Sequence, residues 1–250
     1  MPDDSGGQAS GSLIRGLALL ERLSRNAGPM GVAQLARALD MSKGGVHRLL
    51  QLLRGAGWVR QTPEGTYECT LRVWEVGNRI MEGTGLRPLA LPHLRSLWER
   101  TQETTYLAIL DGADALYLEK IDSPQRVLAS FRVGARLPAD RVAAGRVLLA
   151  NGGQPGTEAD PARAFPHLER EFALIRDRGY AVNGGEFDTT INGIAAPVLD
   201  ATGSAVASVG FSCPSERWTR ADLLTLAPFV MKAARDISRD LGYVSGQALQ

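Results

Sequence analysis

The sequence predicts an α/β (α+β) chain made of two units, a small helical N-terminal domain closed by a hairpin and a larger C-terminal domain with a mixed or antiparallel sheet. Three observations predict it. Short amphipathic helical patterns and one strand pair fill the first 72 residues. After residue 86, β-branched and apolar runs alternate with longer helical patterns. Between them EGTGLRP, at 82–88, marks the change of character. The reading is a small domain at 12–72, a connecting helix at 73–85 and a larger domain at 86–243, with disordered tails at 1–11 and 244–250. No internal repeat or heptad run is seen.

In the small domain, Ser12 is expected to cap a first helix whose apolar residues are Leu13, Ile14, Leu17, Leu20 and Leu23. The breakers GPMG at 28–31 end it, and a second helix places Val32, Leu35, Ala36 and Leu39 on one side. Asp40-Met41-Ser42 then turns the chain, with Ser42 as N-cap of a third helix through Arg54. Here Val46, Leu49, Leu50 and Leu53 form a core stripe, while Gly44, His47, Arg48 and Gln51 share a neighbouring face. Lys43 lies in the first turn and Arg54 in the last. Gly44-Gly45 costs about 2 kcal/mol of helix propensity relative to two alanines, which close approach to another backbone would offset. Residues 57–60 read as a strand, 62–66 as a turn and 67–69 as the returning strand.

Helix, helix, helix, hairpin is the plan of a winged helix-turn-helix, a fold that sets one helix into a DNA groove. Charge agrees. The whole chain carries a net charge of only +1, yet residues 12–80 hold ten basic side chains against five acidic ones. Double-stranded DNA is therefore the expected partner. The candidate contacts are Ser42, Lys43, Gly44, Gly45, His47, Arg48 and Gln51, with Arg60 and Thr62 reaching a phosphate from the wing.

In the larger domain the strand candidates are Thr105–Leu110, Leu116–Ile121, Val127–Phe131, Tyr180–Asn183, Ile191–Pro197 and Ala205–Ser212. Asp111-Gly112-Ala113-Asp114 makes a hairpin turn. Helices are expected at Arg87–Arg100, Ala143–Ala150, Ala164–Arg178 and Ala221–Leu241.

From SKGGVHRLLQLLRGAGWV onward the sequence resembles the IclR family of bacterial transcriptional regulators. The likeness continues through YLAILDGADALYLEKIDSP, RVGARLPADRVAAGRVLLA, INGIAAPVLD and ADLLTLAPFVMKAARDISRDLG, spanning Leu13 to Gly242 in the family's order. The resemblance implies a DNA-binding winged helix, a linker helix used in dimer contacts and a GAF-like domain that binds a small effector. It also implies a homodimer or homotetramer on a palindromic operator, acting as repressor or activator of metabolic genes. Carried over by resemblance, the effector site comprises Leu137, Ala143, Ala144, Asn183, Ile191, Gly193, Gly210 and Ser212. Backbone N–H groups near Ala143 and Ala144, assisted by Ser212, would take the carboxylate of an organic or aromatic acid. The chain departs from the family's usual residues at Asp140, Gly145-Arg146-Val147, Asn183 and Gly193, all around this site, and Asn151–Pro166 is shorter than usual.

Other chemistries find little support. His47, His93 and His167 lack a metal spacing, and no G-x-S-x-G, P-loop or G-x-G-x-x-G motif occurs. Cys69 and Cys213 are expected to be inert thiols, and Glu119 with Asp122 a solvated strand end. No catalytic residue, metal or cofactor is expected. The remaining alternative is a larger domain that binds a protein partner instead of a metabolite. The opening MPDDSGGQASGS has no apolar signal segment and no run reaches the ~18 residues of a membrane span, so a cytoplasmic location is expected.

Overall fold

The computed structural model describes residues 5–127, 129, 131–152 and 165–244. Its contacts fall into two compact units, Met1–Gly83 and Thr84–Gln250.

The first unit contains α1 (Ser5–Arg25), α2 (Val32–Ala38), α3 (Lys43–Gly55), the wing strands β1 (Val59–Gln61) and β2 (Tyr67–Cys69), and α4 (Arg72–Thr84). Leu19, Leu23, Leu35, Val46, Leu49, Leu50, Val59 and Tyr67 form its core. The antiparallel wing pairs Arg60 with Glu68, and Met30 joins it through reciprocal 2.8 Å backbone bonds with Tyr67. Behind the wing, Arg72 donates to the Ala56 carbonyl at 2.6 Å and lies over the Trp58 ring.

Two expectations fail in α1. The helix already runs at Ser5, so residues 5–11 are helical instead of a disordered tail, and Ser12 lies inside the helix instead of capping it. Of the expected stripe only Leu23 is fully buried and Leu20 half-buried, whereas Leu13, Ile14 and Leu17 are more than half exposed. The domain core uses Leu19 and Leu23, leaving a second apolar face outward. That face shares a groove of about 460 Å³ with Leu49, Leu52, Leu53 and Trp58.

The second unit contains α5 (Leu86–Thr101), β3 (Thr104–Asp111), β4 (Asp114–Ile121), β5 (Arg136–Pro138), α6 (Ala143–Ala150), α7 (Glu169–Arg178), β6 (Ala181–Gly184), β7 (Ile191–Leu199), β8 (Ala205–Pro214) and α8 (Arg220–Asp240). The sheet order is β5-β4-β3-β8-β7-β6 and every neighbouring pair is antiparallel, so the sheet is not mixed. Alternation along β3 divides the two faces. Tyr106, Ala108 and Leu110 join the α6 core cluster, while the Thr105 hydroxyl donates to the Leu94 carbonyl of α5. On that second face Ser238 of α8 donates to Ala234 O and accepts from the Leu199 N–H of β7. Covering both faces explains why the central strands read as long apolar runs.

Val127–Phe131 is not a strand. Val127, Ala129 and Phe131 lie outside any strand, and Leu128 and Ser130 lie outside the described residues; the short β5 follows instead. Ala129 and Phe131 are apolar because they pack inward, a burial signal that does not need a ladder, whereas Val127 is exposed. The helix expected at Ala164–Arg178 begins with a 3₁₀ turn, Pro166–Leu168, and becomes α7 at Glu169; Ala164 lies outside the described residues. Proline at the first position fits such a start, where its missing N–H is not needed.

All eight residues of α6 are buried. The 3₁₀ turn Ala139–Arg141 runs directly across it, and a Cβ on Gly145 would lie 2.3 Å from both Ala139 Cα and Ala139 O. Backbone packs on backbone there, so glycine is required. We expect Gly145→Ala to cost about 1–3 kcal/mol or more, measured as a lower urea midpoint in full-length protein. An unchanged midpoint would show that the contact can relax freely.

Candidate functional site

Two sites can be built from the residues upward, one in each unit. In the first, Ser42 caps α3 by accepting from Gly45 N at 3.1 Å, and Val46, Leu49 and Leu50 bury one side of the helix. The opposite side presents Ser42, Lys43, Gly44, His47 and Arg48 to solvent. Among the described residues neither Lys43 nor Arg48 forms an ion pair, so both charges are available for phosphates or base edges. The two glycines differ. A Cβ on Gly45 would meet Ser42 Oγ at 3.1 Å, so Gly45 serves the cap, while Gly44 has open space outside it.

Besides the Ser42 cap, four of the expected contacts, His47, Gln51, Arg60 and Thr62, are engaged within the domain. Gln51 Nε2 donates to Tyr67 Oη at 3.2 Å and lies 3.3 Å from His47 Nε2, joining the helix to the wing. Arg60 pairs with Glu68 at 2.7 Å across the wing, and the Thr62 and Thr66 hydroxyls are 2.8 Å apart in its turn. Arg60 and Thr62 thus first hold the hairpin together, a role their cross-strand positions dictate.

In the second unit, a cavity of about 120 Å³ is lined by residues of β3, β4, α6, β6, β7 and β8 and by the adjoining loops. Leu137, Ala143, Asn183, Ile191 and Ser212 are all in its wall. Ala144, Gly193 and Gly210 are not, and the geometry gives the reason. Ala144 is buried in the core cluster. Gly210 pairs with Tyr106, and a Cβ on it would lie 2.9 Å from Tyr106 Oη and 2.1 Å from Ile194 O. Gly193 pairs with Asn183, and a Cβ there would lie 2.6 Å from Asn183 Oδ1. These glycines make room for the side chains that do face the cavity.

The sequence reading missed its aromatic wall. Tyr106 and Tyr117 meet edge to face at 5.1 Å, and Phe131 lies 4.3 Å from Tyr117 and 5.9 Å from Tyr106, centroid to centroid. The alternation of Tyr106 with Ala108 and Leu110 on β3 was the available signal. Burial pushes both phenols up, Tyr106 the further, helped by its neighbour Tyr117, so both remain neutral O–H groups near pH 7. Asn183 accepts from the Ala143 N–H at 3.3 Å and so stands in as a cap for α6, which has none of its own from Val142. Among the described lining residues Asp188 is the single charged one. Hydrogen bonds from the Thr190 hydroxyl and N–H hold its carboxyl below the ordinary aspartate value.

Phe187 and Asp188 belong to the β6–β7 loop, which Glu186 ties to the α6 side. Arg146 Nη1 pairs with Glu186 Oε1 at 2.8 Å, and Arg141 donates to the Glu186 carbonyl from Nε at 3.0 Å. Burial works to raise the Glu186 carboxyl, but its backbone hydrogen bonds and the Arg146 guanidinium outweigh it and hold the group below the usual glutamate value. Cys213, beside the cavity strand, is pushed up to about 12 by burial and then by Glu103, and it remains a thiol. Among the described residues no group of three or more His, Cys, Asp or Glu could hold a metal ion, and no helix is long and apolar enough to cross a membrane.

A winged helix with a free cationic face, followed in the chain by an antiparallel sheet with an aromatic cavity, defines a class: a DNA-binding transcriptional regulator with a small-molecule site. Comparison with known proteins agrees. Residues 12–63 match the IclR helix-turn-helix domain and residues 78–239 the bacterial transcriptional regulator IclR C-terminal domain. The chain belongs to the IclR family and is a transcriptional regulator, not an enzyme. It is 29% identical to the regulator XynR of Escherichia coli K12, covering 93% of this chain and 97% of that one. To the repressor AllR of the same strain it is 30% identical, covering 92% and 90%. Among solved structures, a putative regulator from Rhodococcus sp. RHA1 aligns with a TM-score of 0.78 at 29% identity over 92% of this chain and 98% of that one. An IclR homolog from Microbacterium hydrocarbonoxydans, complexed with 4-hydroxybenzoate, aligns with a TM-score of 0.78 at 25% identity, covering 92% and 98%.

Proposed function

We propose that this regulator is a cytoplasmic, ligand-responsive repressor of metabolic genes. In this reading it grips a palindromic operator as a dimer and senses a small organic or aromatic acid. The observation that carries the ligand reading is the cavity itself. An engineered apolar cavity of about 150 Å³ accommodates benzene, so about 120 Å³ between Tyr106, Tyr117 and Phe131 suits a compact organic molecule. Asn183, Ser212 and the two phenols supply hydrogen bonds at fixed places, and the N-terminus of α6 adds a favourable field for an acid group. Tyr106, Tyr117, Ala129 and Ala143 are almost wholly buried, which favours a metabolite over a protein partner, whose surface could not reach them. The 4-hydroxybenzoate complex of the Microbacterium protein supports the same class of ligand.

The apolar surface of the first unit supports the dimer reading. Leu13, Leu17 and Leu52 are more than half exposed around one groove, Ile14 is exposed on the same helix as Leu13 and Leu17, and α4 exposes Trp74 and Ile80. A patch this apolar on a soluble domain is normally covered. A two-fold pair would present two α3 helices to half-sites about one helical turn apart. Repression is chosen because AllR, among the relatives, is a repressor.

Genomic fragments selected by the purified protein supply the operator for three tests. Arg48→Ala should weaken operator binding by about 1–3 kcal/mol at matched salt, and flatten the salt dependence if the contact is to phosphate; equal affinity removes Arg48 from the interface. Ser212→Phe should abolish the response to the ligand and leave operator affinity unchanged in the same binding assay; an unchanged response takes Ser212 out of the ligand site. Leu17→Glu should give a monomer by sedimentation with helical content intact, and a dimer of normal mass would place the interface elsewhere.

A further inference from the structure

We propose that the β6–β7 loop, 185–190, is the gate to the cavity and that Arg146 holds it shut through its ion pair with Glu186. The inference rests on the reading of the cavity as a ligand site. Of the described lining residues only Phe187 and Asp188 are exposed. The rest of that lining is buried or half-buried among strands and helices, so a molecule from solvent meets this loop first.

The loop leaves β6 at Gly185, at φ +90°, a conformation that glycine adopts without strain. Ser215 pins the far end, where its N–H donates to Thr190 O at 2.8 Å and its hydroxyl to Thr189 O at 3.3 Å. The segment between them carries Glu186, Phe187 and Asp188. Its hold on α6 and the preceding turn is concentrated at Glu186. Arg146 Nη1 lies 2.8 Å from Oε1, Gly184 N donates to Oε2 at 2.5 Å, and Arg141 donates to the main-chain oxygen while lying over the Phe187 ring at 5.7 Å.

The other side of the latch is fixed. Arg146 is 8% exposed in a helix buried along its whole length, and its Nε donates to Asp140 O at 2.7 Å. A buried guanidinium on an immobile helix thus faces a carboxylate on a hinged loop, and the same helix contributes Ala143 to the cavity wall. Breaking the pair leaves the helix in place and loosens the loop, which still keeps its Arg141 contacts.

Full-length Ala143→Cys protein tests this without knowledge of the natural ligand. Methyl methanethiosulfonate, a small neutral thiol reagent, reads access to the cavity as a labelling rate, located by mass spectrometry. Ile191→Cys serves as a second reporter. Adding Glu186→Gln or Arg146→Met should speed labelling of the introduced thiol at least tenfold, while Arg146→Lys, which keeps the charge, should stay near the parent rate. Cys69, in the other unit, should label at an unchanged rate. Equal rates with the pair intact and broken would overturn the proposal. So would acceleration at Cys69 alongside the reporter, the sign of general loosening. If 4-hydroxybenzoate and benzoate then fail to slow labelling in the parent, the aromatic-acid reading fails, while the rate difference between parent and latch variants still decides the gate.

Discussion

Direct backbone contact between α6 and the Ala139 turn is the constraint on which the second unit depends. With no Cβ at position 145, the helix drops onto Ala139 and all eight of its residues become buried. Three consequences follow. The α6 N-terminus is fixed at the cavity wall, where Asn183 satisfies the Ala143 N–H. Arg146 is carried into the interior, where an unpaired guanidinium would cost several kcal/mol, so it must find Glu186 and the Asp140 carbonyl. Val147 and Leu148 meet the sheet and complete the core under Tyr106. A packing feature of one glycine thereby sets the position of a cap, an ion pair and a cavity wall together.

The same economy of small residues shapes the sheet side. Asn183, Gly193 and Ser212 lie side by side across β6, β7 and β8, and Ala195, Gly210 and Tyr106 form the neighbouring row. In each row a glycine sits beside a larger polar side chain that needs its space. A side chain at Gly193 would first meet Asn183, and one at Gly210 the β7 main chain at Ile194 O and Ala195 Cα together with Tyr106. Selectivity at this site therefore resides in the larger neighbours, and the glycines act through them.

Much of this was legible in the sequence because it depends on local chemistry. Ser42 as a cap and the Val46, Leu49, Leu50 stripe are decided within one helix, and they appear where the spacing puts them. The Ala143–Ala150 helix likewise has the expected bounds. What escaped depends on contacts between distant segments. Leu13 and Leu17 have the spacing of core residues, and periodicity cannot say which of two apolar faces the domain itself covers. Ala129 and Phe131 are apolar because they wall a cavity, which a pattern of burial alone does not distinguish from a strand. Phe131 meets Tyr106 and Tyr117 only after β3 and β4 pair, so the alternation on β3 announces an inward Tyr106 but not the aromatic wall it joins. The resemblance located Gly193 and Gly210 beside the site but could not tell a lining residue from one that clears space for it.

A regulator must convert occupancy of a cavity into a change of operator affinity, and a tenfold change requires about 1.4 kcal/mol of coupling. The ligand can supply it only through contacts that differ between two states of the protein. The aromatic wall is a poor candidate for the differing contact, since Tyr106 and Tyr117 belong to the paired strands β3 and β4 and are fixed by the core. The β6–β7 loop is a better one. The side-chain part of its latch is one ion pair, with the Arg146 side chain 10% exposed and Glu186 31% exposed, beside the Arg141 bond to the Glu186 carbonyl. Fully exposed pairs contribute about 0–1 kcal/mol and the loss of a partner from a buried pair costs about 3–5 kcal/mol, so a half-screened pair falls in the range that useful coupling demands. Held more weakly, the loop would stand open whether or not a ligand were bound; held more strongly, it would exclude the ligand it must admit.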